Sequence, residues 1–182
     1  MSARDAILSA IRTAHVPSAP AADLAPVLAR RMVPEDLHAH FIALLRAVGG
    51  RGAVIAAGSS LSDAANALYD AGVPRDPLDT ELNAPAPTPF VVRGRFAVAE
   101  NAAVYVDAAD LQARNSIILA EHLVVVVPFD AIVPTMHEAV RLMPADSGCG
   151  WFLSGPSKTA DIEMNLVYGA QGTRAHTVLF ER

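Results

Sequence analysis

A chain of 182 residues that is 52% apolar and 18% charged has the length for one domain with a sizeable core, and it is too apolar to be disordered. Its formal net charge of -5 offers no concentrated basic surface of the kind a nucleic-acid partner requires for counterion release. The single cysteine, Cys149, excludes an internal disulfide and by itself holds neither a structural zinc nor an iron–sulfur cluster, so no cofactor is expected in this chain. The first residues lack an apolar signal core, and the longest apolar run, Leu123 to Phe129, is too short to span a bilayer. A cytoplasmic protein without a membrane span is the expectation.

In chain order, Ser2-Ala-Arg-Asp5 followed by Ile7, Leu8 and Ile11 predicts a helix opened by a capping box. Four prolines from Pro17 to Pro34 predict an extended connector, so residues 1–34 read as a helix plus linker and 35–182 as one α/β domain. Leu37, Phe41, Leu44, Leu45 and Val48 mark a helix face that stops at Gly49-Gly50. Ala53 to Ala57 is a short apolar strand; Gly58-Ser59-Ser60 and a helical stretch through Tyr69 then open a βαβ unit. Pro74 to Pro89 reads as a long surface connection. Phe96 to Ala99 and Ala103 to Val106 read as strands around a bend at Glu100-Asn101-Ala102.

Leu123 to Val127 shows no alternation of apolar and polar residues, as expected of a central strand covered by helices on both faces. Pro128 ends it, Thr135 to Met143 reads as a helix, and Gly150 to Ser154 as the next strand. Gly155-Pro-Ser-Lys-Thr159 is then expected to enter a helix reaching Tyr168, with Gly169 and Gly172 leading into a final strand, Ala175 to Phe180. The whole describes a Rossmann-like open sheet flanked by helices.

The chemistry suggested by this order centres on the Gly155 loop. Free amides and the dipole at a helix start favour an anion; Ser157 and Thr159 add hydroxyls, and Lys158, the one lysine of the chain, adds an ammonium. The same residues also suit a plain helix cap with a solvated lysine, and the choice between Pro156 in the first turn and Ser157 as cap stays open. The loop is no phosphate-binding Walker sequence, because Pro156 stands where the lysine is required. Gln171 and Arg174 would form a second wall at the same sheet end, with Arg114 as a further cleft cation. Glu100 and Asp161 are the candidate acid/base groups, each with a salt-bridge or helix-dipole role as the plainer alternative. The six histidines show no tight metal-ligand spacing, and no nucleophile elbow surrounds Cys149.

Ser154-Gly-Pro-Ser-Lys-Thr-Ala-Asp-Ile-Glu163, followed by Gly169-Ala-Gln-Gly172 and a terminal apolar strand, resembles the LutC/YkgG family of lactate utilisation proteins. Ala99 to Val104 and Arg114 to Val127 extend the similarity over roughly residues 90 to 182. The resemblance implies an LUD-domain fold similar to the NagB/RpiA/CoA-transferase group. It also implies a link to L-lactate oxidation alongside iron–sulfur partner subunits, consistent with a chain that carries no cluster. Asn101, Ala102 and Ala103 stand where the family has Thr-Gly-Thr-like residues, Ala120 stands at a usual proline, and Gln171 and Thr173 replace a histidine and a proline. These changes remove hydroxyls and an imidazole from the expected cleft.

Three functions are expected as alternatives. The first is an accessory, cluster-free subunit of an L-lactate-oxidising complex that binds a small anion or a partner at the strand-to-helix loop. The others are a standalone enzyme acting on a phosphorylated sugar or acyl-CoA, and a self-associating scaffold built on the N-terminal arm, a homo-oligomer. Whether the chain is itself an enzyme is left open by its sequence.

Overall fold

The computed structural model describes residues 2–14, 20, 22–23, 25–28, 33–70, 89–111, 115–145, 148–160 and 167–182. The chain forms two compact units, Met1–Met32 and Val33–Arg182. In the first, α1 (Ala3–Thr13) starts at Ser2, whose hydroxyl accepts the Asp5 amide while the Asp5 carboxylate accepts the Ser2 amide, the capping box expected from the sequence. None of its side chains is buried. A single helical turn, α2 (Ala25–Leu28), interrupts the stretch expected to be extended.

In the second unit, α3 (Leu37–Ala47) is capped by Asp36, which accepts the Ala39 amide, and it ends where Gly49 takes a φ of 86°. β1 (Arg51–Ile55) and α4 (Leu61–Asp70) come next as the opening of the βαβ unit. β2 (Phe90–Arg93) is a strand not expected from the sequence. β3 (Phe96–Val98) and β4 (Ala103–Asp107), the two strands expected around the bend, pair as a hairpin, and a 3-10 turn leads out of it. The chain continues through α5 (Ser116–Leu119), β5 (His122–Pro128), β6 (Ile132–Val133), α6 (Met136–Leu142) and β7 (Gly150–Leu153). Two short strands, β8 (Lys158–Thr159) and β9 (Val167–Tyr168), precede β10 (Ala175–Glu181).

The main sheet has the order β1-β10-β5-β2 and every pair in it is parallel. β10 is last in the chain yet lies inside, paired through Ala175–His122 to Glu181–Pro128 along one side and Arg51–Thr177 to Ile55–Glu181 along the other. Strands buried on both faces need no alternation, and β5 accordingly carries four consecutive buried valines. The covering layers differ from the expectation of helices alone. α4 covers Val124, Val126 and Leu179 with Ala65, whereas the opposite face packs Leu123, Val125 and Val127 against Val104 and Val106 of β4 and against Phe41 and Leu45 of α3. A second sheet, β6-β3-β4-β7, thus supplies much of the layer where a helix was expected, and α6 covers its far face around Phe96, Tyr105 and Ala139.

The hairpin turn contains the single described non-glycine residue with positive φ, Ala102 at 53°, fully buried. A side chain in this region costs about 1 kcal/mol. The turn geometry gives a physical reason for the glycine that the family resemblance places at this position.

The helix expected from Gly155–Thr159 to Tyr168 is corrected at both ends: Lys158–Thr159 pairs antiparallel with Val167–Tyr168. The intervening residues 161–166, Asp161 and Glu163 included, lie outside the described residues.

Candidate functional site

Pairing β5 with β10 brings the chain before each strand to the same place, the amino end of the main sheet. Glu121 precedes His122, and Thr173-Arg174 precede Ala175, so the Glu121 carbonyl accepts both the Arg174 and the Ala175 amides at 3.0 Å. Thr173 adds a stitch: its Oγ1 accepts the Leu123 amide at 3.3 Å and lies 3.2 Å from the Glu121 carbonyl. Between these segments lies a hollow of about 350 Å³, lined by Ile118, Leu119, Ala120 and Glu121 on one side and by Gly169 to Gly172 and Arg174 on the other. Its size suits a small ligand.

The Gly155 loop borders this region with its Ser157 amide already bonded. Gly155 has a φ of 75°, and a side chain there would collide with Val48 at the end of α3. Ser157 ties the loop down: its amide donates to Thr173 O at 2.9 Å, its carbonyl accepts the Gly169 amide at 3.1 Å, and its hydroxyl accepts the Gln171 amide at 3.3 Å. Lys158 sits in a strand with its ammonium 5.6 Å from the centre of the Tyr168 ring, a cation–π arrangement. The expected mechanism, a helix mouth aiming unpaired amides with Lys158 beside them, is therefore corrected. No helix begins at Ser157, and its amide is already bonded.

Gln171 and Arg174 do line the hollow. Arg174 Nη1 lies 3.3 Å from Glu121 Oε1. Gly169 has a structural reason to lack a side chain, because a Cβ there would occupy the place of the Arg174 stem. Glu121, Ile118, Leu119 and Thr173 were not among the residues expected from sequence. No local motif marks them, and Glu121 meets Thr173 only through pairing across 52 residues of chain.

The bend with Glu100 reaches the same loop from the other side, as Ser154 Oγ donates to Asn101 O at 2.7 Å. Glu100 itself points elsewhere: its Oε2 accepts the Met136 amide at 2.8 Å and so caps α6 from outside. One oxygen of the acid/base candidate thus serves as a helix cap. Glu100→Ala is expected to cost about 1 kcal/mol in urea unfolding, as loss of a helix cap does, while leaving anion binding at Arg174 unchanged. Loss of that binding with unaltered stability would restore a chemical role. Arg114 and Asp161, the other two candidates named from sequence, lie outside the described residues.

Two other places gather charged groups. At the carboxyl ends of the parallel strands, where open α/β sheets usually bind ligands, His38 stacks on Phe129 at 4.0 Å, Arg182 lies over the same ring at 4.6 Å, and Arg93 pairs with Glu181 at 3.4 Å. Along β2 runs a groove of about 860 Å³, in which two of the charges satisfy each other, Arg95 donating to both oxygens of Asp110 at 2.7 and 3.1 Å. No group of three His, Cys, Asp or Glu residues suited to a metal ion occurs among the described residues. None of the described helices is long and apolar enough to cross a membrane.

A parallel sheet flanked by helices and backed by a second, mixed sheet defines the class: an α/β protein of the open-sheet kind. Its overall path matches the crystal structure of a DUF162 family protein from Deinococcus radiodurans, with a TM-score of 0.51 over 80% of this chain and 96% of that one, at 16% identity. The LUD domain model matches residues 88–180, just over half of the sequence, and the chain belongs to that family. It is similar to Lactate utilization protein C 1 of Bacillus mycoides, 38% identical over 82 residues, which cover 41% of this chain and 35% of that protein. Lactate utilization protein C of Halalkalibacterium halodurans is 34% identical over 84 residues, covering 42% of this chain and 36% of the relative. The chain thus matches about a third of the length of these curated relatives.

Proposed function

We propose that this chain serves lactate utilisation as a cluster-free, cytoplasmic accessory subunit that engages a small anion or an iron–sulfur partner subunit at the amino end of its main sheet. The observation carrying this reading is that the LUD match spans every residue around the hollow, from Ile118 to Arg174, and that relatives alike to this chain over 82 residues are named for lactate utilisation. In this reading Gln171 and Arg174 make the contact. Gly155, Ser157 and Thr159 shape its border, Lys158 contributes positive potential nearby, and Arg114 and Asp161 belong to the same segment.

The test is deletion of the coding sequence from the source cells, with growth on L-lactate as sole carbon source and recovery of the tagged protein. The expected result is loss of growth, rescue by the intact chain, and co-purification of iron-containing proteins. Unchanged growth together with a protein recovered alone overturns the proposal. A second reading has its own observation: α1 exposes Ile7 and Ile11 to 60% and 64%, a face suited to self-association. Removal of residues 1–34 is expected to lower the solution mass of any oligomer built by this arm, and an unchanged mass excludes it.

A further inference from the structure

We infer that β2 is an interaction edge whose occupant is the β2 of a second copy of this chain, paired antiparallel so that the two main sheets run on as one. The inference stands apart from lactate utilisation and from the N-terminal arm. β2 lies at one edge of the main sheet, with β5 as its neighbour there. The Gly94 amide donates to Val126 O, one step past the register pair Arg93–Val126. Successive residues of a strand turn their N–H and C=O to opposite sides. Phe90, Val92 and Gly94 therefore bond toward β5, while Val91 and Arg93 turn theirs outward. None of these outward backbone groups has a partner among the described residues.

An open edge is a template for another strand, and folded proteins usually blunt it with charge, proline or a covering element. Here Phe90 and Val91 are 39% and 38% exposed, and the nearby charges are engaged within the chain, Arg93 with Glu181 and Arg95 with Asp110. Such an edge sets little like-charge repulsion against its own copy. A two-fold axis through Val92 places Val91 opposite Arg93 of the second copy as a hydrogen-bonded pair, and the axis repeats that pair on its other side. Every outward N–H and C=O is then used. An axis through Val91 instead sets Arg93 against Pro89, which has no amide to give. In the favoured register the Arg93 stem of the second copy covers Val91 while its charge stays with its own Glu181. On the other face Phe90 comes opposite Gly94, which has no side chain, beside the groove of about 860 Å³ lined by Leu111 and Ser116. A ladder of four residues makes an interface at the small end of specific ones, about 1,200 Å² in total, so association in the micromolar range is expected.

Sedimentation equilibrium of the full chain over a series of concentrations is expected to show the mass rising from one copy to two. Hydrogen exchange, read amide by amide, is expected to slow at Val91 and Arg93 over the same series. Val91→Pro removes an outward N–H and leaves the ladder to β5 intact, a place where an edge strand tolerates proline, and is expected to weaken dimerisation by about tenfold or more. Val91→Lys keeps the strand geometry and sets an ammonium directly opposite Arg93 of the second copy, with the same expected direction, and it decides the matter where Val91→Pro fails to fold. A chain that stays single at every concentration overturns the inference. So does a dimer whose mass and amide exchange are unaltered by Val91→Lys, since another surface, such as the exposed face of α1, then holds the copies together. Slow exchange at Val91 and Arg93 in a chain that stays single overturns it as well, because the edge is then covered from within.

Discussion

Lowering the pH from 7.5 to 4.5 is expected to strip several kcal/mol from the stability of this fold. His122 and His176 sit on neighbouring strands, paired one residue out of step, and both are completely buried. Burial pushes each imidazole down to about 4 from an ordinary 6.5; Arg51 adds to the effect on His122, and His122 adds to it on His176. His122 has Thr177 Oγ1 at 2.9 Å, whereas neither ring nitrogen of His176 has a hydrogen-bonding partner among the described residues. The neutral forms are therefore the ones the native state holds. As the pH falls below about 6.5, the unfolded chain takes up protons that the folded chain refuses, so stability is full above that value and declines until the folded groups titrate near 4. Each group is worth roughly 3 kcal/mol over that window, at about 1.4 kcal/mol per pH unit. Urea unfolding at a series of pH values measures the decline. His176→Leu is expected to remove about half of the slope and to raise stability at pH 5, since it replaces an unsatisfied buried polar ring with an apolar group. Identical slopes for the two proteins would show that His176 is not the source.

Gly94→Ala is expected to destabilise the protein by about 3 kcal/mol, although the change adds a single methyl group. Gly94 comes just after β2, at the point where the chain crosses from the main sheet to the second one, and its amide donates to Val126 O at 2.9 Å. A Cβ there would run into Val104 from one sheet and into Val125 and Val127 from the other. All three valines are fully buried, so none has open space to move into, and the added volume must separate the two layers. Thermal unfolding measures the effect, with Gly58→Ala as a contrast: a Cβ there meets nothing within 4 Å, and its φ of 76° leaves only a local backbone cost of about 1 kcal/mol. Equal losses in the two variants would mean that the contact between the sheets does not require the bare backbone at Gly94.

Several elements were legible because their determinants are local. The Ser2 capping box, the α3 face closed by Gly49, and the uninterrupted valines of β5 each carry their own signal within a few residues. β2 was missed because it is four residues long, comes after a proline-rich stretch and occupies a sheet edge, where partnership with β5 does most to define it. The Gly155 segment misled for a related reason. Gly-Pro-Ser-Lys-Thr has the composition of a helix start, yet Ser157 finds its partners in Thr173, Gly169 and Gln171, and these draw the chain into a short antiparallel pair instead. That one oxygen of Glu100 caps α6 was equally illegible, because the Met136 amide it accepts lies far along the chain.

By itself the amino-acid order determined the alternation of apolar strands and amphipathic helices, the separate N-terminal helix and the resemblance to a lactate utilisation family, since each depends on spacing within a short window. Only the tertiary structure decided that the last strand lies between β1 and β5, that a second sheet covers part of the first, and that Glu121 meets Arg174 across a hollow. Those outcomes are set by pairings between residues far apart in the chain, whose free energy comes from apolar surface buried jointly by both partners and is therefore written in neither segment alone.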